Sequence, residues 1–282
     1  MCDILTINDT VETIGSGTCI QHGKHNDRIY LMKLDQRDMP EVFNMLTELA
    51  VKEKYSKIIC KVPKNYAPAF YANGYILEAF IPEFYDAEQD VFFLSKYLNS
   101  DRFLDIERSQ LSKFSSILNK ESGKKVADHP DFTVRELTEN DISDIIDIYK
   151  EVFETYPFPI HDDDYILQTM DENVRYFGAE KNGKLAAIAS AEMDIKSGNA
   201  EMTDFATYPG FSGNRLATAL LKKLEEEMKE DGIQTLYTIA RLNSIPMNLT
   251  FIHMDYTYSG TLIKNTNISG DIESMNVYYK HI

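Results

Sequence analysis

The chain has 282 residues, enough for two domains of ordinary size, and its 43% hydrophobic and 11% aromatic content is that of a globular protein. A formal net charge of −16 argues against nucleic acid or an anionic membrane as the main partner, since both would be repelled. Two explanations of this acidity stay open: solubility in a salty cytoplasm, or a site that binds a cationic small molecule.

The N-terminus is acidic and polar, which is not the pattern of a signal peptide, and no apolar run reaches the length of a membrane span. The three cysteines, Cys2, Cys19 and Cys60, have neither a metal-ligand spacing nor the even number that a disulfide framework needs. We therefore expect a cytoplasmic protein, in a reducing compartment, without a metal site.

Strand and helix patterns alternate through the first 100 residues. Strands are predicted at 28–34, 57–63 and 90–98, and helices at 38–55 and 67–74. Residues 101–131 begin as a helix and end in a polar tract with glycine and proline, which predicts a linker near 120–130. The chain therefore divides into a first domain over residues 1–125, which includes the linking helix, and a second over 130–282.

The second half has a different order of elements. A strand and an Asn/Asp cap precede an amphipathic helix whose apolar stripe includes Ile145 and Ile146. Two hairpins follow, with turns at Asn182-Gly183 and at residues 197–199. Next come a strand–turn–helix segment over 201–228, another strand, a short helix and a final strand pair. This mixed order predicts an α+β fold rather than a doubly wound parallel sheet.

The end of the first half reads as a partial copy of the end of the second. "AFYANGYILEAFI" parallels "TFIHMDYTYSGTLI", with Phe70 and Tyr75 matching Phe251 and Tyr256 in spacing. We find no counterpart of the strand–turn–helix segment in the first copy. Any phosphate chemistry is therefore expected in the second half.

The order of elements and the segment 203–221 resemble the GNAT acyl-CoA N-acetyltransferases. The turn "PGFSGNRLA" keeps the proline, the aromatic residue, one glycine, the leucine and the alanine of the family pattern. It departs from that pattern at Ser212, where arginine or glutamine is usual, and at Arg215, where glycine is usual.

Three further segments are similar to those of the beta-lysine N-acetyltransferases. They are "ETYPFPIHDDDYI" (154–166), "TLYTIAR" (235–241) and "KNTNISGDIESMNVYYK" (264–280). The resemblance implies a GNAT fold, a mixed and mostly antiparallel sheet flanked by helices, preceded by a partial, degenerate GNAT-like domain. It also implies transfer of acetyl from acetyl-CoA to the ε-amino group of beta-lysine, giving the compatible solute Nε-acetyl-beta-lysine.

Binding of acetyl-CoA needs backbone N–H groups at a helix start for its pyrophosphate, and residues 213–218 can supply them. The resemblance also implies a bulge in the strand "TDFATY", whose free backbone groups pair with the pantetheine arm. The cofactor-binding residues predicted in this way are Phe205, Ala206, Thr207, Ser212, Gly213, Asn214, Arg215, Leu216, Ala217 and Thr218.

Arg215 has two opposite interpretations. If the turn needs a positive φ there, arginine is strained, as a non-glycine residue in the left-handed region. If φ is helical, the guanidinium adds a phosphate contact. A surface arginine on the first helical turn is the plainer alternative.

Deprotonation of the substrate ammonium needs a carboxylate or a water relay, because the ordinary pKa of a primary ammonium lies near 10. The candidates are Glu192, Glu201 and Asp204. Glu201 ranks first because relatives of this fold place a general base there, and Asp204 is the alternative. Each carboxylate could instead bind the second ammonium of the substrate or simply be a solvated strand residue.

Many GNAT enzymes use a tyrosine on the last short helix to protonate the leaving thiolate. Phe251 occupies that position and has no proton to give, and Tyr256 is expected in the core. Tyr278, Tyr156 or water are the remaining candidates for the thiolate acid.

A pocket for beta-lysine must hold two ammonium groups and a carboxylate between apolar walls. We predict Tyr156 and Phe158 as walls, and polar contacts from His161, Asp162, Glu192, Asn267, Glu273 and Asn276. A helix N-cap is an equally good explanation of Asp162, and a strand turn accounts for part of the asparagine-rich run.

Two other functions stay open. One is an acetyltransferase for another small amine, such as a polyamine or an amino acid. The other is a non-catalytic acyl-CoA sensor, which the departures at Ser212 and Arg215 would favour. The first half could complete the substrate pocket or form the surface of a homodimer.

Overall fold

A computed structural model describes residues 9–105, 108–118 and 131–282, which form two mixed sheets flanked by helices. The linker predicted near 120–130 lies outside the described residues, so the domain boundaries stay predictions. Within the described residues, no helix combines the length and the apolar character needed to cross a membrane.

The elements of the first half begin with three strands. Its strands are β1 (Thr10–Ile14), β2 (Thr18–Gly23), β3 (Arg28–Lys33), β4 (Lys57–Pro63), β5 (Ile76–Tyr85) and β6 (Gln89–Tyr97). Its helices are α1 (Val42–Glu53), α2 (Ala67–Ala72), α3 (Ser100–Leu104) and the linking helix α4 (Arg108–Leu118). The predicted strands and helices are confirmed, while β1, β2 and β5 were not predicted.

The second half has the predicted order, with one added helix, α6. Its strands are β7 (Thr133–Glu136), β8 (Val174–Lys181), β9 (Lys184–Asp194), β10 (Asn199–Thr207), β11 (Thr235–Arg241), β12 (Thr257–Ile268) and β13 (Asp271–His281). Its helices are α5 (Ile142–Val152), α6 (Asp163–Glu172), α7 (Leu216–Glu230) and α8 (Ile245–His253). A capping box of Thr138 and Asp141 fixes the start of the α5 segment.

The two sheets share one topology. The strand order is β1-β2-β3-β4-β6-β5 in the first sheet and β7-β8-β9-β10-β11-β13-β12 in the second. Without β7, the two orders correspond strand for strand. Each sheet also has one parallel pair around a helix, β3 with β4 and β10 with β11. The α+β prediction is therefore confirmed for the described residues, and the first half has a GNAT-like topology of its own.

The predicted sequence repeat corresponds to a repeated local structure. The backbone N–H of Tyr75 donates to the carbonyl of Phe70 at 3.1 Å, and that of Tyr256 donates to the carbonyl of Phe251 at 3.0 Å. The two ring pairs lie 5.1 Å and 5.3 Å apart between centroids, both edge to face. In each copy, the short helix therefore ends with the same backbone hydrogen bond and the same edge-to-face contact between a phenylalanine and a tyrosine.

The expectation that the first half has no counterpart of the strand–turn–helix segment was wrong, because the predicted strand β3 and helix α1 occupy the corresponding place in the first sheet. The turn between them has no glycine and is acidic. Its buried Asp38 accepts hydrogen bonds from the backbone N–H groups of Ser16 and Thr18 and from the Thr18 hydroxyl. A carboxylate in this position disfavours a bound phosphate, so the expectation that phosphate chemistry belongs to the second half is unaffected.

The two halves stack through their sheets. Helices α1 and α2 cover the outer face of the first sheet, and α7 and α8 cover the outer face of the second. Between them lies a shared core of both halves, which includes Ile59, Phe84 and Phe93 from the first and Tyr237 and Val277 from the second. Because strand residues alternate in direction, the inner faces of β3, β4 and β10 point toward this junction.

Strands β5 and β12 approach most closely at Gly260. A Cβ atom at this position would lie 2.0 Å from the carbonyl oxygen of Glu78, so any side chain would push the two strands apart. Beside this contact the Ser259 hydroxyl hydrogen-bonds to the backbone of Phe80. The junction is therefore a packed interface that needs glycine at residue 260.

Candidate active site

A cavity of about 300 Å³ lies at the junction of the two halves. The second half supplies most of its walls, from β8–β13, α5, α6, α8 and the loop between α5 and α6. The first half supplies four residues: Arg28, Tyr30, Met32 and Lys61. A volume of this size is at the lower end of the range for small-molecule sites.

The cavity occupies a gap between β10 and β11. These strands pair in parallel only at residues 199–201 and 235–237, although each continues for several residues with its other neighbour. A register shift against β9 between Thr203 and Ala206 marks a bulge. The bulge expected in this strand is therefore present, and the edge of β10 beyond Glu201 has no strand partner.

Three carboxylates line the cavity. Glu192 and Glu201 are cross-strand neighbours on β9 and β10, so their side chains share one face of the sheet. Asp204 would face away in a regular strand, three residues after Glu201. The bulge gives Asp204 a positive φ of 54° and turns its side chain into the same cavity.

Burial raises the pKa of Glu201 to about 7. The negative charge of Glu192 adds to this effect, while Lys61 and the hydroxyl of Tyr237 work against it. Glu192 is the most solvent-exposed of the three carboxylates. Desolvation by the surrounding cavity residues nevertheless raises its pKa as well. A carboxyl group whose pKa lies near neutral pH is well suited to accept and release a proton.

Asp204 is held by neighbouring hydroxyl groups. The Tyr156 hydroxyl donates to its Oδ1, and the Ser190 hydroxyl donates to its Oδ2 at 2.7 Å. Burial raises the pKa of Asp204, although both hydrogen bonds oppose the shift. With its acceptor sites engaged, Asp204 is less free than Glu201 to take a proton from a ligand.

The turn before α7 exposes a run of backbone donors. The N–H groups of residues 213–217 have no acceptor within the described part of the chain. Gly213 has a φ of 84°, which glycine adopts without strain. Free N–H groups at the start of a 15-residue helix form a site for an anion such as a phosphate.

Arg215 caps this helix with a φ of 53° and a ψ of 29°, in the left-handed region. Of the two interpretations of Arg215, the one with a positive φ and a strained backbone is therefore confirmed. Its guanidinium is exposed and makes no hydrogen bond or ion pair to the described residues. The charge is thus free for a ligand at the turn, even though the backbone geometry favours glycine.

The two tyrosines considered as proton donors differ in position. Tyr278 is fully buried, donates to Asn248 and does not line the cavity, so it is removed as a candidate. Tyr156 lines the cavity but donates to Asp204. Phe251 lies on the cavity wall, packed edge to face against Phe205. The acid for the thiolate stays unassigned.

Five residues predicted to contact the substrate lie away from the cavity, and four of them have a structural role. Asp162 caps α6 by accepting from the Tyr165 N–H, and Asn267 bridges to the backbone of His25 and to Asn26. The others are Glu273, which pairs with Arg241, Asn276, which bonds to Asn248, and His161, whose buried Nε2 has no partner. We leave these five out of the candidate site, whereas Tyr156, Phe158 and Glu192 line it.

Sequence reasoning missed the contribution of the first half. In "RIYLMK" the larger polar and aromatic side chains Arg28 and Tyr30 alternate with Ile29 and Leu31, and "KIICKVP" alternates in the same way around Lys61. Only the aliphatic set faces α1 and α2. This alternation in a strand covered on both faces was the available signal for cavity residues.

Comparisons with known proteins identify the family. The model of the acetyltransferase (GNAT) family matches residues 142–247. A beta-lysine N(6)-acetyltransferase of Methanococcus maripaludis is 40% identical over 98% of this chain and 98% of its own length. The chain belongs to the GNAT acetyltransferase family. The resemblance found in the sequence, to this family and to the beta-lysine N-acetyltransferases within it, is confirmed.

Two more relatives match along most of their length. A beta-lysine N(6)-acetyltransferase of Methanosarcina mazei is 32% identical over 84% of this chain and 96% of its own. The N-acetyltransferase YodP of Bacillus subtilis is 28% identical over 97% of this chain and 99% of its own. The similarity to all three relatives therefore includes residues of the first half, so this half is a shared part of these proteins.

The site fits acetyl-CoA, the cofactor of this family. The free N–H groups of residues 213–217 can hold a pyrophosphate, and the unpaired edge of β10 beyond Glu201 can take an extended amide-containing arm. The cavity that begins in the gap between the strands then receives the acetyl end. These segments include eight of the ten residues predicted to bind the cofactor, all except Ser212 and Thr218, and the individual roles of the ten stay predictions.

Substitutions at Arg215 separate its backbone strain from its charge. We expect Arg215→Gly to stabilise the free protein by about 1 kcal/mol, because a left-handed conformation costs a non-glycine residue roughly that much. Arg215→Ala keeps the strain and removes only the charge, so its stability should not change. Both variants should bind acetyl-CoA a few-fold more weakly. Urea unfolding and calorimetric titration measure these effects, and tighter binding by both would show that the guanidinium hinders the cofactor.

Proposed function

We propose that this chain transfers the acetyl group of acetyl-CoA to the N6 amino group of beta-lysine. The observation that carries the proposal is a cavity beside the gap between β10 and β11, lined by three carboxylates and three cationic side chains. Such a lining matches a small molecule with two ammonium groups and one carboxylate. The name of two relatives, beta-lysine N(6)-acetyltransferase, supports the same substrate.

In the proposed reaction, Glu201 accepts a proton from the N6 ammonium, directly or through one water. Acetyl-CoA supplies an activated acetyl group as a thioester. Glu192, one strand away, stabilises the positive charge of the bound ammonium and keeps the pKa of Glu201 high. Asp204, fixed by Tyr156 and Ser190, serves as a charged wall that orients the amine rather than as the base.

The backbone supports the reaction by positioning. The N–H groups of residues 213–217 anchor the pyrophosphate at the start of α7, and β10 directs the extended arm toward the cavity. Phe205 and Phe251, packed edge to face, form an apolar part of the cavity wall. Acetylation removes one positive charge from beta-lysine and leaves a neutral zwitterion, as suits a compatible solute. A cytoplasmic location and a homodimer stay predictions.

The proposal predicts binding and turnover separately. Acetyl-CoA at 100 times its Kd should stabilise the protein by about 2.7 kcal/mol, seen as a higher melting temperature. Release of CoA should then follow the addition of beta-lysine and exceed that with spermidine or α-lysine. Stabilisation without release from any amine would instead favour the acyl-CoA sensor. Release with spermidine alone would assign the chain to polyamines.

A further inference from the structure

Arg28 is a buried guanidinium with no carboxylate at ion-pair distance among the described residues, although the charge of Asp9 acts on it from farther away. It lies on β3 in the first half, is only 3% exposed, and lines the cavity. Its hydrogen bonds go to neutral acceptors: the carbonyl of Asn265, the hydroxyl of Thr266 at 3.1 Å and the Gln21 side chain at 3.4 Å. Its Nε is buried and has no partner within the described residues.

Two other arginines at this junction differ from Arg28. Arg241, also on the cavity wall, forms a two-pronged ion pair with Glu273. Arg102 lies within 3.6 Å of the carboxylate of Asp27. Among these three arginines, Arg28 alone has no carboxylate at ion-pair distance in the described chain, although burial lowers its pKa to about 10.

A buried charge that lacks an ion-pair partner is costly, typically by several kcal/mol. Proteins keep such a group when a ligand provides the missing charge, and a cavity is where that ligand must enter. Asn265, next to Arg28, also lines the cavity, and its buried Oδ1 lacks a donor. The site thus presents an unmatched cation and an unmatched acceptor side by side.

Tyr30 connects this position to the carboxylates. It lies two residues after Arg28 on the same face of β3, with the guanidinium 5.3 Å from its ring centroid. Glu201 and Glu192 line the same cavity as Tyr30, and their charges add to the burial that raises the pKa of the Tyr30 hydroxyl. The cavity therefore has an anion-binding end at Arg28 and a cation-binding end at Glu201, separated by an aromatic ring.

We propose that Arg28 binds the carboxylate of the amino-acid substrate and that Asn265 accepts from the ammonium nearest to it. The first half of the chain thereby selects diamino acids over simple diamines, whose second end offers no negative charge. The remote amino group of the substrate then lies at Glu201. This assignment rests on the proposed function for the identity of the substrate.

The test compares beta-lysine with beta-lysinamide, in which the carboxylate is replaced by a neutral amide of similar size. Calorimetry on CoA-saturated protein measures binding, and CoA release from acetyl-CoA measures transfer. We expect wild type to bind the acid about 100-fold more tightly than the amide. In Arg28→Met the ratio of the two affinities should fall close to one, while Arg28→Lys should recover part of it.

Lys33→Met is the matched control, because it removes a positive charge from the same strand at an exposed position outside the cavity. It should keep the wild-type ratio. Equal affinity of wild type for acid and amide, or an equal loss of both in Arg28→Met, would overturn the assignment. If Arg28→Met fails to fold, the assignment is tested by the ratio of the two affinities in wild type and in Arg28→Lys. Binding that depends on the carboxylate, without acetyl transfer, would contradict the proposed function but would still support Arg28 as the carboxylate-binding residue.

Discussion

Replacing Glu201 with glutamine is expected to lower kcat/KM for beta-lysine by about 100- to 10,000-fold, the usual contribution of a general base. Glutamine keeps the size and the polarity of the side chain but cannot accept a proton. Binding of acetyl-CoA should change little, because residue 201 precedes the turn that anchors the pyrophosphate. Steady-state kinetics and a CoA titration on the same preparation distinguish the two effects.

The pH profile identifies the role of Glu201 more sharply than the rate alone. Because the pKa of Glu201 is about 7 and a base must be ionised, wild-type kcat/KM should rise as pH increases through 7. Glu192→Gln should shift this limb to lower pH, since the charge of Glu192 helps to raise the pKa of Glu201. Glu201→Gln should abolish the limb, and its persistence in that variant would assign the proton transfer to another group.

The same group makes a prediction for stability. The folded-state pKa of Glu201 lies above its ordinary value of 4.5, so the folded protein binds the proton more tightly than the unfolded chain. Its contribution to stability is therefore greatest below pH 4.5 and is lost as pH rises through 7. Glu201→Gln should remove this loss and be more stable than wild type above pH 7, as expected for a residue kept for catalysis.

The architecture could be predicted because its signals are local. The repeat of Phe70 and Tyr75 at Phe251 and Tyr256 is a matter of spacing, and it correctly paired the ends of the two halves. Strand β3 and helix α1 of the first half were predicted, but their correspondence to the strand–turn–helix of the second half was missed, because the turn between them has an acidic sequence in place of glycines. A change of sequence in this turn does not alter the topology, because the packing of α1 on β3 and β4 depends on apolar residues outside the turn.

The candidate site was only half predictable, for a physical reason. Glu201 and Asp204 could be selected as polar residues in a strand that the family uses, and both line the cavity. Arg28 and Lys61 come together with them only when the two sheets stack, over more than 100 residues of sequence separation. Asp162 and Asn276 were selected only because their side chains can form hydrogen bonds with a substrate. In the structure these side chains form hydrogen bonds within the protein instead, Asp162 as the cap of α6 and Asn276 with the buried Asn248.

A buried ion pair joins the sheets, and removing one of its two partners should have the largest effect on stability. Glu78 accepts hydrogen bonds from the hydroxyls of Ser95 and Tyr97, from Lys57 Nζ at 3.0 Å and from the backbone N–H of Ile263 at 2.9 Å. Lys57 Nζ in turn donates to the Ile263 carbonyl at 2.8 Å. The pair therefore links β4 and β5 in the first half to β12 in the second.

Glu78→Ala should destabilise the protein by about 3–5 kcal/mol, because it leaves the fully buried ammonium of Lys57 without a counter-charge. The double variant Lys57→Met/Glu78→Leu should recover most of that loss, since a pair of apolar residues has no charge to desolvate. Lys64→Ala, which breaks the exposed pair with Asp90, is the control and should cost less than about 1 kcal/mol. Urea unfolding followed by circular dichroism measures all three. A loss in Glu78→Ala no greater than that of the control would mean that the sheets are held together by apolar packing around Gly260 and not by this pair.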